Sequence, residues 1–299
     1  MSTAENISGS YKVAAKVKDY FLLIKFTLSF TVVFSCVICY LLAPGITYNL
    51  KMVILLFVAG MLVTGSANAI NQAVEMDTDA LMKRTAKRPV ANGRMSQREA
   101  YAFAAFSGCV GVLMMAQLFN LSAAILSAFS LFLYAYIYTP LKKVNSIAVL
   151  VGAFPGALPC LIGWVAGTDT FSAGGWILFG IQFLWQFPHF WAIAWVAHND
   201  YSKAGFKLLP ADKGPTKFTA LQAVMYSVLM IPCGMLPHYF GITGNASLWI
   251  VLACNLFMVF QCIRLYLEMD VKAARRVMFS SYIYLPIVLL ALLADKAGG

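Results

Sequence analysis

The chain has 299 residues, of which 61% are hydrophobic and 11% are charged, and its 22 Lys and Arg residues outnumber its 12 Asp and Glu residues. Because a soluble domain carries about a quarter charged residues, this composition excludes an ordinary cytosolic enzyme, a disordered chain and a disulfide-stapled secreted module. The composition instead predicts a protein that is embedded in a lipid bilayer.

Apolar segments of the length that crosses a membrane, about 20 residues, recur along the whole chain. In chain order they cover residues 20–42, 52–72, 100–118, 121–139, 146–166, 174–197, 218–237, 247–267 and 277–294. The alternation typical of barrel strands is absent, which leaves helices as the spanning elements. We therefore predict an all-α, polytopic bundle of nine transmembrane helices. It forms one domain at residues 20–294, with an N-terminal segment at 1–19 and a short tail at 295–299.

The positive charges predict the orientation of this bundle. Twenty of the 22 Lys and Arg residues fall on one predicted side, and only Lys51 and Lys296 fall on the other. Since cytoplasmic loops collect Lys and Arg, we expect a cytoplasmic N-terminus and an outside C-terminus. The same rule explains the net charge of +10, so we expect no nucleic-acid partner. Residues 1–19 contain Glu5 and Asp19 but no Arg, and they lack the apolar core of a signal peptide, so we expect a bacterial inner membrane.

The strongest functional pattern lies where the second predicted span leaves the membrane. Asn71, Glu75 and Asp79 follow each other at every fourth position. On a helix that continues out of the span, this spacing puts one amide and two carboxylates on a single face, where the like charges repel. We therefore expect a cation between them, and oxygen ligands of this kind suit Mg²⁺.

Cationic side chains follow this acidic set directly and include Lys83, Arg84 and Arg88. Arg and Lys recognise phosphate groups, so carboxylates, metal and cations together predict a diphosphate site that faces the cytoplasm. A solvated, positively charged loop is the alternative, and we prefer it for Lys87 and for the arginines at 94 and 98. For the acidic set we prefer function, because acidic residues at the end of a span are costly.

This segment resembles the first signature of the UbiA superfamily of intramembrane prenyltransferases, N-x-x-x-D-x-x-x-D. A longer pattern, N-x-x-x-[DE]-x-D-x-D-x-x-M-x-R-T-x-x-R-P, is similar to the haem O synthase branch of that family. The residues that match it are Asn71, Glu75, Asp77, Asp79, Met82, Arg84, Thr85, Arg88 and Pro89. Glu75 stands where the superfamily usually has Asp, which leaves open whether it contacts the metal directly.

Two further segments carry the same resemblance. Tyr138-Thr-Pro-Leu-Lys142 resembles the family's Y-x-x-x-K, which implies that Tyr138 lines the reaction site and that Lys142 contacts diphosphate. Without the resemblance, an interfacial tyrosine and a positive-inside lysine explain them. Lys25 falls where the family has a lysine in an L-T-K-P-R segment, but Pro and Arg are missing here, and snorkelling to the interface is the alternative to diphosphate binding.

The third segment is specific to the branch. Trp185-Gln-Phe-Pro-His189-Phe is followed by Asp200-Tyr201-x-x-Ala-Gly, whereas quinone-directed relatives place a second Asp-rich motif there. His189 lies inside an apolar span, where an ionisable group is a functional candidate for haem contact or proton transfer, with a satisfied core histidine as the alternative. Asp200 is a further candidate metal ligand, and Asp77, Lys83 and Tyr201 are additional site candidates.

The resemblance implies Mg²⁺-dependent transfer of the farnesyl group of farnesyl diphosphate to a vinyl group of haem B, which gives haem O. It also implies haem A synthase or the terminal-oxidase assembly as candidate partners. A prenyltransferase for an aromatic quinone precursor and a membrane transporter are the alternatives. The long polar loops after the second and sixth spans further suggest two four-span halves, whose loops meet over one cavity.

Overall fold

The computed structural model describes residues 2–210 and 214–297, with side chains described from Val13 onward. Lys213, in the long polar loop after the sixth predicted span, and residues 298–299 of the predicted tail lie outside the described residues. Within the described residues all the regular elements are helices, and the one β-bridge joins Thr243 to Lys296. The helices are α1 (Ser2–Leu23), α2 (Phe26–Leu42), α3 (Leu50–Val74), α4 (Met76–Leu81), α5 (Gln97–Leu118), α6 (Leu121–Phe132), a π-helix (Leu133–Tyr138), α7 (Thr139–Leu141), α8 (Ala148–Thr168), α9 (Ala173–Val196), α10 (His198–Lys203), α11 (Lys217–Tyr239), α12 (Asn245–Glu268) and α13 (Val271–Ala294).

Among the described residues, eight helical segments are long and apolar enough to cross a membrane, and α1 with α2 forms a ninth when that bent pair is counted as one span. The predicted all-α bundle of nine spans is thus confirmed, and the chain is a multi-pass membrane protein. Two helices extend beyond the predicted spans. Residues 2–19 belong to α1, and α13 begins at Val271 because the Asp270 side chain accepts a hydrogen bond from the Ala273 amide at 2.6 Å.

A sharp break separates α1 from α2 and shapes the first span. The two helices bend by 52° at this point, and Lys25 adopts a left-handed conformation with φ of 49°. Such a break frees backbone carbonyls, which are costly when unpaired in a membrane. Gln72 of α3 donates to the carbonyls of Leu22 and Leu23 at 2.8 and 2.9 Å, so a buried amide stabilises the break.

The spanning helices pack in a closed arrangement in which α2 contacts both α8 and α13. The short helices α4 and α10 each follow a long span, α3 and α9, at one end of this bundle. The loops that follow them pack together there through the buried side chains of Met82 and Phe206. This end, which we call the loop end, comprises residues 75–96, 142–147, 197–210 and 214–216, and its two long loops meet there as the two-half hypothesis predicts.

Candidate functional site

The acidic set lies at the loop end, but not on one unbroken helix as predicted. The helix α3 ends at Val74, Glu75 occupies the junction, and α4 begins at Met76. Helical hydrogen bonds nevertheless continue across the junction, because the Glu75 amide donates to the Asn71 carbonyl at 3.0 Å and the Asp79 amide donates to the Glu75 carbonyl at 2.7 Å. Asn71, Glu75 and Asp79 therefore still share one direction, and all three are buried, with exposed fractions of 1%, 4% and 1%.

Each member of the acidic set faces a cationic side chain from elsewhere in the chain. The three pairs are Lys25 Nζ with Asn71 Oδ1 at 2.6 Å, Lys142 Nζ with Glu75 Oε1, and Arg88 Nη1 with Asp79 Oδ2 at 2.6 Å. We call these six residues the paired cluster. In this structure cationic side chains therefore lie beside the carboxylates. They are the same three side chains for which the sequence analysis expects contacts with diphosphate.

Lys142 is the most enclosed cation of the paired cluster, with 8% of its surface exposed. Burial lowers the pKa of its ammonium group, and the nearby Glu75 carboxylate opposes that shift. The rings of Tyr138 and Phe206 lie 4.9 and 5.3 Å from Nζ, so two aromatic faces add cation–π contacts. The Glu75 carboxylate and two aromatic rings, rather than bulk water, thus surround the Lys142 ammonium group.

A π-helical turn, a feature often found at functional sites, brings Tyr138 and Lys142 to this position. The Tyr138 ring packs directly on the backbone of α8, where a Cβ atom at Gly152 would come within 2.6 Å of it. The next residue, Thr139, is buried and lies 3.5 Å from the Asn71 amide nitrogen through Oγ1. The segment thus contacts the first two members of the acidic set, Asn71 through Thr139 and Glu75 through Lys142.

The remaining candidates of the two long loops lie around this cluster rather than in it. Arg84 is exposed, and its Nη2 donates to the Tyr201 hydroxyl at 3.1 Å, which joins the two loops. Asp77 and Lys83 are exposed. Asp200 is half-buried in α10 and has no ion pair among the described residues.

His189 lies inside α9 and contacts α13 instead of the paired cluster. Its Nδ1 lies 2.7 Å from the Ser281 hydroxyl oxygen, and its ring stacks on Trp185 with centroids 4.6 Å apart. Because the Ser281 hydroxyl donates to the Met278 carbonyl at 2.6 Å, it can accept from His189. This arrangement favours the tautomer with a proton on Nδ1 and a free lone pair on Nε2.

Sequence reasoning missed several residues that hold the site together. Gln72 stabilises the break at Lys25, Thr139 contacts Asn71, and Phe206 covers Lys142. A signal existed for Gln72, because an amide next to Asn71 inside an apolar span needs a buried partner. Phe206 carries no such signal, since its position depends on how two distant loops pack.

The oxygen atoms of the paired cluster suit a metal ion that is bound jointly by the protein and a substrate phosphate, rather than one held by protein ligands alone. Among the described residues, no group of three or more His, Cys, Asp and Glu side chains is arranged to hold an ion. Mg²⁺, however, commonly binds one or two carboxylates and completes its shell with water and substrate phosphate oxygens. Two buried carboxylates and a buried amide beside three cations match that mode.

Comparisons with known proteins agree with this fold. The profile of the UbiA prenyltransferase family matches residues 32–283. A protein of Cytophaga hutchinsonii named protoheme IX farnesyltransferase is 46% identical over 95% of this chain and 99% of its own. A protein of the same name from Flavobacterium johnsoniae is 40% identical over 99% of both chains.

Solved structures show the same fold at lower identity. A digeranylgeranylglyceryl phosphate synthase matches with a TM-score of 0.78 and 23% identity over 94% of this chain and 98% of its own. A UbiA homologue from Archaeoglobus fulgidus, solved with GPP and Mg²⁺, matches with a TM-score of 0.69 and 16% identity over 92% of this chain and 99% of its own. At these identities the likeness concerns the fold alone.

Proposed function

This chain belongs to the UbiA prenyltransferase family, and we propose that it transfers the farnesyl group of farnesyl diphosphate to a vinyl group of haem B, which gives haem O. One observation carries the proposal: its similarity to relatives named protoheme IX farnesyltransferase extends over nearly the full length of both chains. The chemistry of the paired cluster supports it, because buried carboxylates beside cations suit a metal-bound diphosphate.

In this proposal the paired cluster binds the diphosphate. Asn71, Glu75 and Asp79 hold Mg²⁺, with Asp200 as a further ligand from the second loop. The metal, when bound, neutralises charge on the diphosphate and makes it a better leaving group. The cations that face these oxygens in the present structure, Lys25, Lys142 and Arg88, then turn to the phosphate oxygens, and Arg84 joins them from the loop surface.

The reaction breaks the C1–oxygen bond of farnesyl diphosphate, the π bond of the vinyl group and one O–H bond of water, and it forms one carbon–carbon bond and one carbon–oxygen bond on haem. The bond between C1 of the farnesyl chain and the diphosphate oxygen breaks, and its electron pair leaves with the diphosphate. The π electrons of the haem vinyl group form a new carbon–carbon bond to C1, and the positive charge moves to the vinyl carbon beside the porphyrin ring. Water adds to that carbon and loses a proton, which leaves the hydroxyethylfarnesyl group of haem O.

Two aromatic or ionisable side chains have defined tasks in this scheme. Tyr138, which lies against Lys142, stabilises the allylic cation with its ring face. His189, whose Nε2 is free of the Ser281 hydrogen bond, contacts haem or accepts the proton that water releases. The apolar surroundings of both residues limit quenching of the cation by bulk water.

We further propose that the protein lies in a bacterial inner membrane with its loop end and active site in the cytoplasm. The basic residues of that end agree with the positive-inside rule. Haem A synthase or the terminal-oxidase assembly would then receive the product.

Acceptor choice is the test of this proposal. Purified protein in nanodiscs receives farnesyl diphosphate, Mg²⁺ and equal concentrations of haem B and an aromatic quinone precursor, and both products are followed by mass spectrometry. We expect haem O and no prenylated quinone precursor. Prenylation of the quinone precursor alone would move the protein to another branch of the family. In a parallel sample reconstituted into sealed vesicles, flux of substrate without conversion would favour a transporter.

A further inference from the structure

A cavity of about 880 Å³ opens at the loop end between α1 and the loop that follows α4. The helix α1 contributes an apolar wall, formed by Ala14, Ala15 and Leu22. The loop contributes Arg88, which also belongs to the paired cluster, so the cavity borders the proposed diphosphate site. Its volume lies within the range of about 300–1,000 Å³ that is typical of small-molecule sites.

Positive charge dominates the rest of this cavity. Five cationic side chains line it, but only one acidic side chain, Asp19, does so. Arg94 Nε donates to Asp19 Oδ1 at 2.9 Å, and Arg88 is matched within the paired cluster. Three lining cations then have no carboxylate within ion-pair distance among the side chains of residues 13–210 and 214–297, namely Lys18, Arg84 and Lys87.

We propose that this cavity binds the two carboxylates of the porphyrin acceptor and that Lys18 and Lys87 are the side chains that hold them. The inference rests on the proposed function, in which haem B is the acceptor. Haem B joins a flat apolar ring to two propionate carboxylates at one edge. The cavity offers the matching surfaces, an apolar wall on α1 and unmatched cations on both of its sides.

The position of the cavity also suits the reaction. The vinyl groups of haem B lie on the opposite side of the ring from the propionates. Carboxylates held at the exposed residues Lys18 and Lys87 therefore leave the vinyl edge free to face the protein, next to Arg88 and the diphosphate. An anionic lipid headgroup shares the negative charge, but the reaction gives it no reason to lie beside the diphosphate site.

Substitution of the two lysines tests this assignment. Lys18→Gln and Lys87→Gln are compared with Lys272→Gln, an exposed lysine outside the cavity, in nanodiscs of neutral phosphatidylcholine. We expect each cavity variant to raise KM for haem B about tenfold or more, the effect of losing one charge-assisted hydrogen bond, with no change in KM for farnesyl diphosphate. The control variant should match the wild type.

Haem B dimethyl ester, in which both carboxylates are esterified, provides the matched ligand. The wild type should have a high KM for the ester. The two substitutions should not raise that KM further. An equal effect on both porphyrins would overturn the proposal, as would an effect that appears only when the nanodiscs contain anionic phosphatidylglycerol, which would indicate a headgroup site.

Binding separates this inference from the proposed function. If no haem O forms with any variant, the proposed function fails, but an absorbance titration with haem B and its dimethyl ester still decides the site without turnover. Weaker binding of haem B to the Lys18→Gln and Lys87→Gln variants, with unchanged binding of the ester, would support the carboxylate site. Equal binding of haem B to these variants and the wild type would overturn it.

Discussion

Lys25 and Asn71 are 46 residues apart in the chain, and Lys25 Nζ donates to Asn71 Oδ1 at 2.6 Å. The contact exists because the backbone turns at Lys25, with φ of 49°, between two helices bent by 52°. The ammonium group thus points toward the acidic set instead of snorkelling along the helix to the interface. A residue held in this uncommon conformation beside a candidate ligand links the direction of α1 to the geometry of the site.

Replacement of Lys25 by Met tests this link. The substitution keeps the length and apolar stem of the side chain and removes its charge. If Lys25 contacts diphosphate, KM for farnesyl diphosphate should rise about tenfold, the size of one charge-assisted bond, while the melting temperature stays near that of the wild type. Lys51→Met, an exposed lysine outside the loop end, is the control. Unchanged kinetics in both variants would assign Lys25 a structural role only.

Two neighbouring aspartates offer a matched comparison for the metal site. Asp79 is 1% exposed and pairs with Arg88, whereas Asp77, two residues earlier, is exposed. We expect Asp79→Asn to lower kcat about a hundredfold or more, because a neutral amide stabilises charge at the leaving group far less. Asp77→Asn should retain activity within about twofold, as surface changes do. Equal losses in both variants would contradict the assignment of Asp79.

The buried pair of Glu75 and Lys142 predicts a pattern of stability. Glu75→Gln leaves an unmatched ammonium whose pKa burial already lowers, and Lys142→Met leaves an unmatched carboxylate. Each single change should cost about 3–5 kcal/mol, and the double variant should be more stable than either. Melting temperatures in detergent measure this. Losses that simply add in the double variant would show that the two charges do not stabilise each other.

The hydrogen bond between His189 and Ser281 predicts a kinetic effect. If Ser281 sets the tautomer of the ring, Ser281→Ala should lower kcat about tenfold, and it should have little further effect in a His189→Gln background. Ser280→Ala, at the adjacent position of α13, is the control. If the losses of kcat from the Ser281 and His189 changes are independent and additive, Ser281 does not act through His189.

Hydropathy predicts the spans well but not the break in the first one. Residues 22–26 read as a continuous apolar run around one lysine, and the break at Lys25 depends on Gln72 of another helix. The predicted span at residues 277–294 also omits the first turns of α13, because these turns are polar and Asp270 caps them. Local composition defines a span, whereas a bend or a helix terminus depends on specific hydrogen bonds.

The spacing of Asn71, Glu75 and Asp79 predicts their common direction, because one turn of helix separates each from the next. It does not predict their partners. Lys142 reaches Glu75 from a distant segment that a π-helical turn brings into place. Such pairings depend on how distant segments pack together, and residue spacing in a single sequence does not reveal this.

The most direct test of the central claim is the chelator dependence of haem O formation. Purified protein is incubated with haem B and farnesyl diphosphate, with Mg²⁺ or with EDTA, and products are separated by chromatography with mass detection. We expect a haem O peak with Mg²⁺ that EDTA removes and added Mg²⁺ restores. Haem O formed equally in EDTA would contradict the metal-dependent diphosphate site, and unmodified haem B in both samples, from folded protein, would contradict the proposed reaction.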